Sequence, residues 1–338
     1  MPSVLPKISY CIMTYNEGKR IGSCLKSIFS QDYPKEKLEV IVVDDASTDN
    51  TLAIAKKYPV KIYMNGKKDA DLSATIGFNN ATGDFFTAIG ADMQFYAKDW
   101  FRKMIKPLME NPDMAFALTT YYSHPKDSLI NKYINLDEQQ RDFVYQLFTP
   151  NYSEMITEKR KGYYIMKYSP DKIPPQTHGL YRVKVMREII KKQKIYYDMG
   201  NLMLLVKNGH TKVGYVPKAG YYHFHVDSLS HLLKKRIRNV ERSYLRYSEK
   251  KETKRSHYKW VDFKKPSHVI KLIALVLGSN LFIPLFIISI FRMIKHKNYL
   301  YLLEAPITFL TVDTLIYVFL KNPQGRKFIF NSFRSIIS

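Results

Sequence analysis

Leu38-Glu39-Val40-Ile41-Val42-Val43-Asp44-Asp45-Ala46-Ser47-Thr48-Asp49-Asn50-Thr51 (residues 38–51) is an apolar, largely β-branched run that stops at two carboxylates and a cluster of turn formers. The run reads as a buried strand, and Ser47 to Asn50 supply a turn and the cap of a helix starting near Thr51. On spacing alone, Asp49 and Asn50 need be no more than that cap. Asp44 and Asp45 ask for more. Two adjacent acids at the carboxyl end of a buried strand are costly unless they face a ligand or water, and such a carboxylate can accept hydrogen bonds from a base or a ribose.

The same grammar extends on both sides. Ile8 to Met13 is a short apolar run ending in Thr14-Tyr15-Asn16-Glu17, and Ile21 to Ser30 has helical spacing with Ile21, Leu25, Ile28 and Phe29 on one face. Downstream, Thr51 to Tyr58 reads as helix, Val60 to Met64 as strand, Asp71 to Ala81 as helix stopping at Gly83, and Phe85 to Ile89 as strand followed by Gly90-Ala91-Asp92. Strand and helix alternating in this way predict a parallel sheet with helices on its faces, and such sheets bind ligands at the carboxyl ends of their strands. The three polar clusters sit at those ends. Asp92 could there hold a divalent metal bridging a diphosphate, since hard cations take oxygen ligands.

The rest of the soluble part is less regular. Helix continues through Met104 to Leu108, periodicity loosens from Tyr121 to Lys172, and helices are expected at Val183 to Lys192 and Asn201 to Val206, with a strand at Lys212 to Val216. The loosened stretch reads as a helix-containing insertion or an acceptor-facing segment. Leu229 to Tyr247 is helical, basic and amphipathic, suited either to a membrane surface or to packing with a solvated basic face.

The 338 residues carry a formal net charge of +23 and are 46% hydrophobic, but the apolar share rises sharply beyond Lys265. Charge gathers from Lys234 to Lys265, beside that apolar tail, and this placement favours anionic lipid over nucleic acid. Val269 to Phe291 is long enough to span a bilayer, and so is Tyr299 to Leu320, which carries Glu304 and Asp313. A hairpin returning the C-terminus to the cytoplasm follows. The flanking Lys264, Lys265, Lys321, Arg326 and Lys327 agree with it, whereas Arg292, Lys295 and Lys297 in the connecting loop would face outward, against the positive-inside rule. A re-entrant hairpin is the other reading. The chain opens Met1-Pro2-Ser3 without a signal-peptide pattern, so the catalytic part is expected on the cytoplasmic side of a membrane. Cys11 and Cys24, without metal spacing, are expected as buried reduced thiols.

The segments Tyr10-Cys11-Ile12-Met13-Thr14-Tyr15-Asn16-Glu17, Val42 to Thr51, and Asn79-Asn80-Ala81-Thr82-Gly83-Asp84-Phe85 followed by Ala91-Asp92 together resemble the family-two inverting glycosyltransferases with the GT-A fold. The resemblance covers about the first hundred residues well, with sparse landmarks as far as Arg238. It implies an α/β mixed sheet flanked by helices, followed here by a transmembrane or membrane-embedded helical hairpin. The expected organisation is a catalytic domain over 1–230, a basic juxtamembrane region over 231–265 and a membrane hairpin with a short tail over 266–338. The resemblance places Thr14, Tyr15, Glu17, Asp44, Asp45 and Ala91 at the nucleotide, and makes Asp92 the acid that holds Mg²⁺ or Mn²⁺. Gly90 stands where the family's Asp-x-Asp motif has its first Asp. Ala74 and Thr75 replace a common Arg-Asn pair, leaving a diphosphate contact to Lys67, Lys68 or a later basic residue.

Asp198, eleven residues before Gly209 as in the family, is the implied general base, with Tyr197 at the position of the motif's Glu. The other reading of Asp198 is a cap of the following helix. Gln176, His178 and Gly179 resemble the acceptor-side loop. His223 resembles a histidine near the metal, although His223 and His225 also read as ordinary half-buried histidines. The Gln-x-x-Arg-Trp motif of processive relatives is absent, which favours transfer of one sugar. The implied activity is inverting, metal-dependent transfer from a UDP- or GDP-sugar to a lipid-linked acceptor, a polyprenyl or dolichyl type of phosphate or a lipid-linked glycan. A catalytically silent GT-A-like subunit is the first rival. A nucleic-acid binder lacks any recognised motif, and a sugar-phosphate nucleotidylyltransferase lacks its Gly-rich phosphate loop.

Overall fold

The computed structural model describes residues 5–175, 177–197, 200–241, 245 and 265–337. They form two compact units, one of residues 1–122 and 150–223, the other of residues 123–149 and 224–338.

The first unit is built on the strands β1 (Ile8–Thr14), β2 (Leu38–Asp44), β3 (Lys61–Met64), β4 (Phe85–Gly90), β5 (Met93–Phe95), β6 (Phe116–Leu118), β7 (Tyr121–Tyr122), β8 (Ile156–Arg160), β9 (Tyr163–Lys167), β10 (Gly179–Arg182), β11 (Lys212–Tyr215) and β12 (Tyr221–His223). Its helices are α1 (Ile21–Phe29), α2 (Thr51–Ala55), α3 (Ala70–Asn79), α4 (Trp100–Glu110), α7 (Val183–Gln193) and α8 (Asn201–Lys207). Helices α5 (Leu129–Ile134) and α6 (Phe143–Phe148) belong to the second unit. The main sheet has nine strands in the order β3-β2-β1-β4-β10-β6-β11-β9-β8. β1 to β4 run parallel, as expected, but β10 is antiparallel to both β4 and β6, so the sheet is mixed. This helix-flanked mixed sheet agrees with the GT-A fold that the resemblance implied. A smaller sheet, β5-β12-β7, lies beside it.

β1 and β2 are buried along their whole length, which is why they read as continuous apolar runs rather than alternating ones. Tyr10, Phe95, Trp100, Phe101 and Tyr221 pack ring against ring beneath the sheet. Cys11 and Cys24 are buried, and neither forms a disulfide. The helix expected from Thr51 to Tyr58 stops at Ala55. Where periodicity loosened, β8 and β9 form an antiparallel hairpin; β8 is mostly exposed, so it lacks the apolar alternation that marks a half-buried strand.

The amino-terminal side of the sheet is tied by Glu39. Burial pushes its carboxyl up, but hydrogen bonds from Lys61, Ser9 and Thr82 outweigh this and hold it down at about 2, against an ordinary 4.5. A carboxylate whose folded value is depressed stabilises the fold above its unfolded value and loses that contribution as pH falls. Because Lys61 is 54% exposed, the contribution is discounted to about 2 kcal/mol. Glu39→Gln is expected to lower stability by that amount at pH 7, and the gap to the parent chain should close between pH 4.5 and pH 2, read by urea melts across pH.

The second unit is helical: α5 (Leu129–Ile134), α6 (Phe143–Phe148), α9 (Leu229–Val240), α10 (Pro266–Leu281), α11 (Ile283–His296), α12 (Glu304–Lys321) and α13 (Pro323–Ile337). Three small apolar clusters hold it together, and α12 contributes to each. Ile307 packs with Tyr133, Ile134, Val226 and Leu232, Val312 with Val144, Phe148 and Leu275, and Val318 with Val240 and Leu245. Arg236 and Asp142 form a buried ion pair at 2.6 Å. Of the basic stretch expected to meet lipid, residues 242–244 and 246–264 lie outside the described residues.

The apolar tail is bent within its first candidate span. Val269 to Phe291 is not one straight span: α10 and α11 meet at an angle of 94°. The break falls at Phe282, whose φ of 55° is left-handed. Pro284 favours a break here, since it has no N–H to give Asn280 and its ring clashes with that carbonyl. Tyr299–Lys321 remains long and apolar enough to cross a membrane by length and composition.

Candidate active site

Parallel register aligns the carboxyl ends of β1, β2 and β4. Thr14 pairs with Asp44 across β1 and β2, and Met13 pairs with Val43 on one side and Gly90 on the other. The three clusters singled out in sequence therefore come together on one edge of the first unit. Backbone bonds continue the match past the strands, from Asp45 N to Thr14 O at 2.9 Å and from Ala91 N to Met13 O at 3.1 Å.

The loops after β1 and β2 are laced to each other. Asn16 N donates to Ser47 Oγ (2.9 Å), Thr48 N to Asn16 Oδ1 (2.8 Å), Glu17 N to Thr51 Oγ1 (2.8 Å) and Gly18 N to Asp49 Oδ2 (3.0 Å). Asp49 also accepts from Thr51 N at the start of α2, whose N-cap is Asn50 without a side-chain capping bond, and so joins the two loops to that helix. These bonds hold Tyr15 outward, 40% exposed, with Lys68 Nζ donating to its hydroxyl at 2.6 Å. Glu17 lies 3.5 Å from Arg20.

The two acids of β2 differ in what holds them. Asp44 is fully buried and accepts from Ser47 N (2.8 Å) and Ser47 Oγ (2.6 Å), closing its own turn. Asp45 accepts from Ser73 Oγ of α3 at 2.8 Å, and burial raises its carboxyl above the usual range despite that bond. Neighbouring Thr14 is buried, and its Oγ1 has no partner among the described residues. A buried hydroxyl left unpaired at the mouth of a sheet is a ready donor or acceptor for a ligand. Ala91 is buried and offers only its backbone to this edge.

Asp92 projects from the turn between β4 and β5, 20% exposed, with His223 Nε2 at 3.5 Å from its Oδ2. His223 is placed there by the small sheet, where it pairs with Met93. The Tyr121 ring lies 4.9 Å from the His223 ring, and the Tyr121 hydroxyl is 2.6 Å from His178 Nδ1. A row thus runs from Asp92 through His223 and Tyr121 to His178. Gly90 has a spatial reason: a Cβ there would lie 2.4 Å from Asp92 Oδ1, in the space that carboxylate uses. No group of three or more His, Cys, Asp or Glu side chains gathers for a metal among the described residues. One carboxylate and one imidazole side by side nevertheless suit a divalent ion completed by diphosphate oxygens and water.

Other sites of interest divide. Gly179 opens β10, where a Cβ would lie 2.0 Å from Ala117 O. Gly179→Ala is expected to destabilise the chain by about 2–3 kcal/mol through overpacking, read as a lower urea midpoint with an unchanged m-value. Gln176 and Asp198 lie outside the described residues. The flanks of Asp198 are tightly held: Tyr196 N donates to Thr75 Oγ1 at 3.0 Å, and Asn201 Oδ1 accepts from Tyr197 N at 3.2 Å. The N-cap of α8 is Gly200. Thr75, at a position where the resemblance expected an Arg-Asn pair, is buried and serves this anchoring. His225 belongs to the second unit, where its carbonyl accepts from Lys235. Sequence reasoning missed Ser47, Ser73 and Tyr121. Ser47 stands in the motif and could have been found as a partner three residues after Asp44, whereas Ser73 and Tyr121 are brought in by packing alone.

A model of the family described as Glycosyl transferase family 2 matches residues 9–190. A Methanococcus voltae protein named dolichyl N-acetyl-alpha-D-glucosaminyl phosphate 3-beta-D-2,3-diacetamido-2,3-dideoxy-beta-D-glucuronosyltransferase is 43% identical over 91 residues, 25% of this chain and 28% of that protein. The dolichol-phosphate mannosyltransferase of Pyrococcus furiosus is 36% identical over 117 residues, 32% of each. The chain thus matches less than a third of the length of these two curated relatives. Among solved structures, the mannosyltransferase PcManGT from Pyrobaculum calidifontis, in complex with GDP-Man and Mn²⁺, has a TM-score of 0.48 and 16% identity over 95% of this chain and 88% of that one.

Proposed function

The chain belongs to glycosyl transferase family 2, and from that premise we propose that it transfers a single sugar, with inversion, from a UDP- or GDP-sugar to a lipid-linked acceptor at the cytoplasmic face of a membrane. The observation that carries the reading is the shared edge where Thr14, Asp45 and the Asp92–His223 pair meet at the ends of β1, β2 and β4. The apolar C-terminal helices and the dolichyl and dolichol names of two relatives support a lipid-linked acceptor.

In this reading Thr14 and Asp45 take the base and ribose, with Tyr15 and Glu17 lining the pocket and Asp44 closing, through Ser47, the turn after β2. Asp92, with His223 beside it, would hold Mg²⁺ or Mn²⁺ against the diphosphate. Such an ion, when bound, neutralises charge developing on the leaving nucleotide. Lys68, whose Nζ lies 4.3 Å from the Tyr15 ring centroid, makes in this reading the diphosphate contact that Ala74 and Thr75 do not make. On the acceptor side stand Gln176 and His178, with Gly179 allowing β10 its close approach. The acceptor oxygen attacks the anomeric carbon as the carbon–oxygen bond to the diphosphate breaks. One such displacement inverts the centre. Asp198 takes the proton when the acceptor is a hydroxyl, and only positions the acceptor when it is an ionised phosphate.

The test is transfer from a panel of labelled UDP- and GDP-sugars into organic-extractable lipid, using membranes that carry the full chain. Label entering the lipid phase from one donor names that donor. No transfer from any donor, with folded protein and lipid acceptors supplied, turns the reading toward a catalytically silent subunit.

A further inference from the structure

The tail raised a contradiction in sequence: a hairpin of two spans would put Arg292, Lys295 and Lys297 on the far side of the membrane. The second unit removes it. α10 has 16 residues and α11 has 14, so at 1.5 Å per residue they are about 24 and 21 Å long, each short of a hydrocarbon core of about 30 Å. Set at 94°, they form a wedge rather than a span. Its outer surface is apolar and open: Ile273, Leu277, Leu281, Ile283, Ile287, Phe291 and Ile294 are each at least 50% exposed. Patches of this size on a folded unit mark an interaction surface. The charge is arranged around it, with exposed Lys265 and Lys271 toward the start of α10 and exposed Lys295 and Lys297 toward the end of α11. An apolar bend between two basic ends matches an anionic leaflet, acyl chains at the bend and headgroups at the ends.

α12 behaves differently. Apart from Tyr317, Leu320 and Lys321 it has no exposed residue, and its apolar face is taken by α5, α6 and α9. α9 exposes Lys234 and Arg238, so carrying α12 to bilayer depth would carry those charges into hydrocarbon.

We propose that the second unit is monotopic: the bend of α10 and α11 enters one leaflet of an anionic bilayer, α12 is an interior helix of the protein, and no described residue crosses. The proposal deepens the reading of a membrane-bound transferase and rests on it. It is tested on the full chain in sealed vesicles with the cytoplasmic face outward, using Lys297→Cys and Lys327→Cys with Lys159→Cys of the catalytic unit as reference, all three exposed. An impermeant maleimide should label all three equally without detergent; Cys11 and Cys24, being buried, give little background. Protection of position 297 would establish a spanning hairpin, and protection of 327 with 297 labelled would make α12 a span; either overturns the proposal. In parallel, the purified chain should float with phosphatidylglycerol-containing vesicles, and Ile287→Glu with Phe291→Glu should cut that binding at least tenfold. Unchanged flotation of the double variant overturns the wedge. Failure of the parent chain to float at all would instead remove the membrane reading itself.

Discussion

Asp92→Ala is expected to lower kcat/KM by about 10²–10³-fold, the scale on which one preorganised electrostatic contact to a departing charge acts. The side chain is 20% exposed and pairs with His223 at 3.5 Å, so the loss should come without unfolding, checked by an unchanged melting temperature. The kinetic split is informative. If Asp92 and His223 hold an ion on the diphosphate, the variant should need far more Mn²⁺ to reach its residual rate. His223→Ala should shift the metal requirement in the same direction by about 10–100-fold, the range typical of a supporting partner. An Asp92→Ala enzyme with full activity and unchanged metal dependence would remove the diphosphate role from this edge.

Asp198→Asn should separate two kinds of acceptor. With a hydroxyl acceptor, removing the base is expected to cost about 10²–10⁴-fold in kcat and to flatten the rise of rate with pH, because the acceptor proton no longer has a carboxylate to go to. With a phosphate acceptor, already ionised, kcat should stay within a few-fold and KM for the acceptor should carry the effect. Steady-state rates with both acceptor classes, across pH, decide it. A full loss with both classes and a lowered melting temperature would mean that Asp198 serves stability rather than proton transfer, as Thr75 and Asn201 do for Tyr196 and Tyr197.

Much of the site was legible because its residues sit in contiguous motifs at strand ends, where the fold exposes backbone and polar side chains together. Thr14, Asp45 and Asp92 follow apolar runs, and a parallel sheet aligns such ends whatever its helices do. Asp44 meets the cost of its burial locally. Ser47, three residues on, satisfies both of its oxygens, a local bond that a strand-level reading passes over.

The sequence by itself determined the parallel β1–β4 core, the clustering of its three polar ends, the buried thiols and the apolar character of the tail. All of these follow from short-range pattern: period, turn chemistry and hydropathy along the chain. Only the tertiary structure decided that β10 reverses the sheet, that Tyr121 stands between His223 and His178, and that the segment 123–149 joins the C-terminal helices. The shape of the tail is the clearest case. Pro284 is visible in sequence, but hydropathy averages across it, and whether an apolar helix meets lipid or protein depends on which neighbours cover it. That is a property of contacts between residues far apart in the chain.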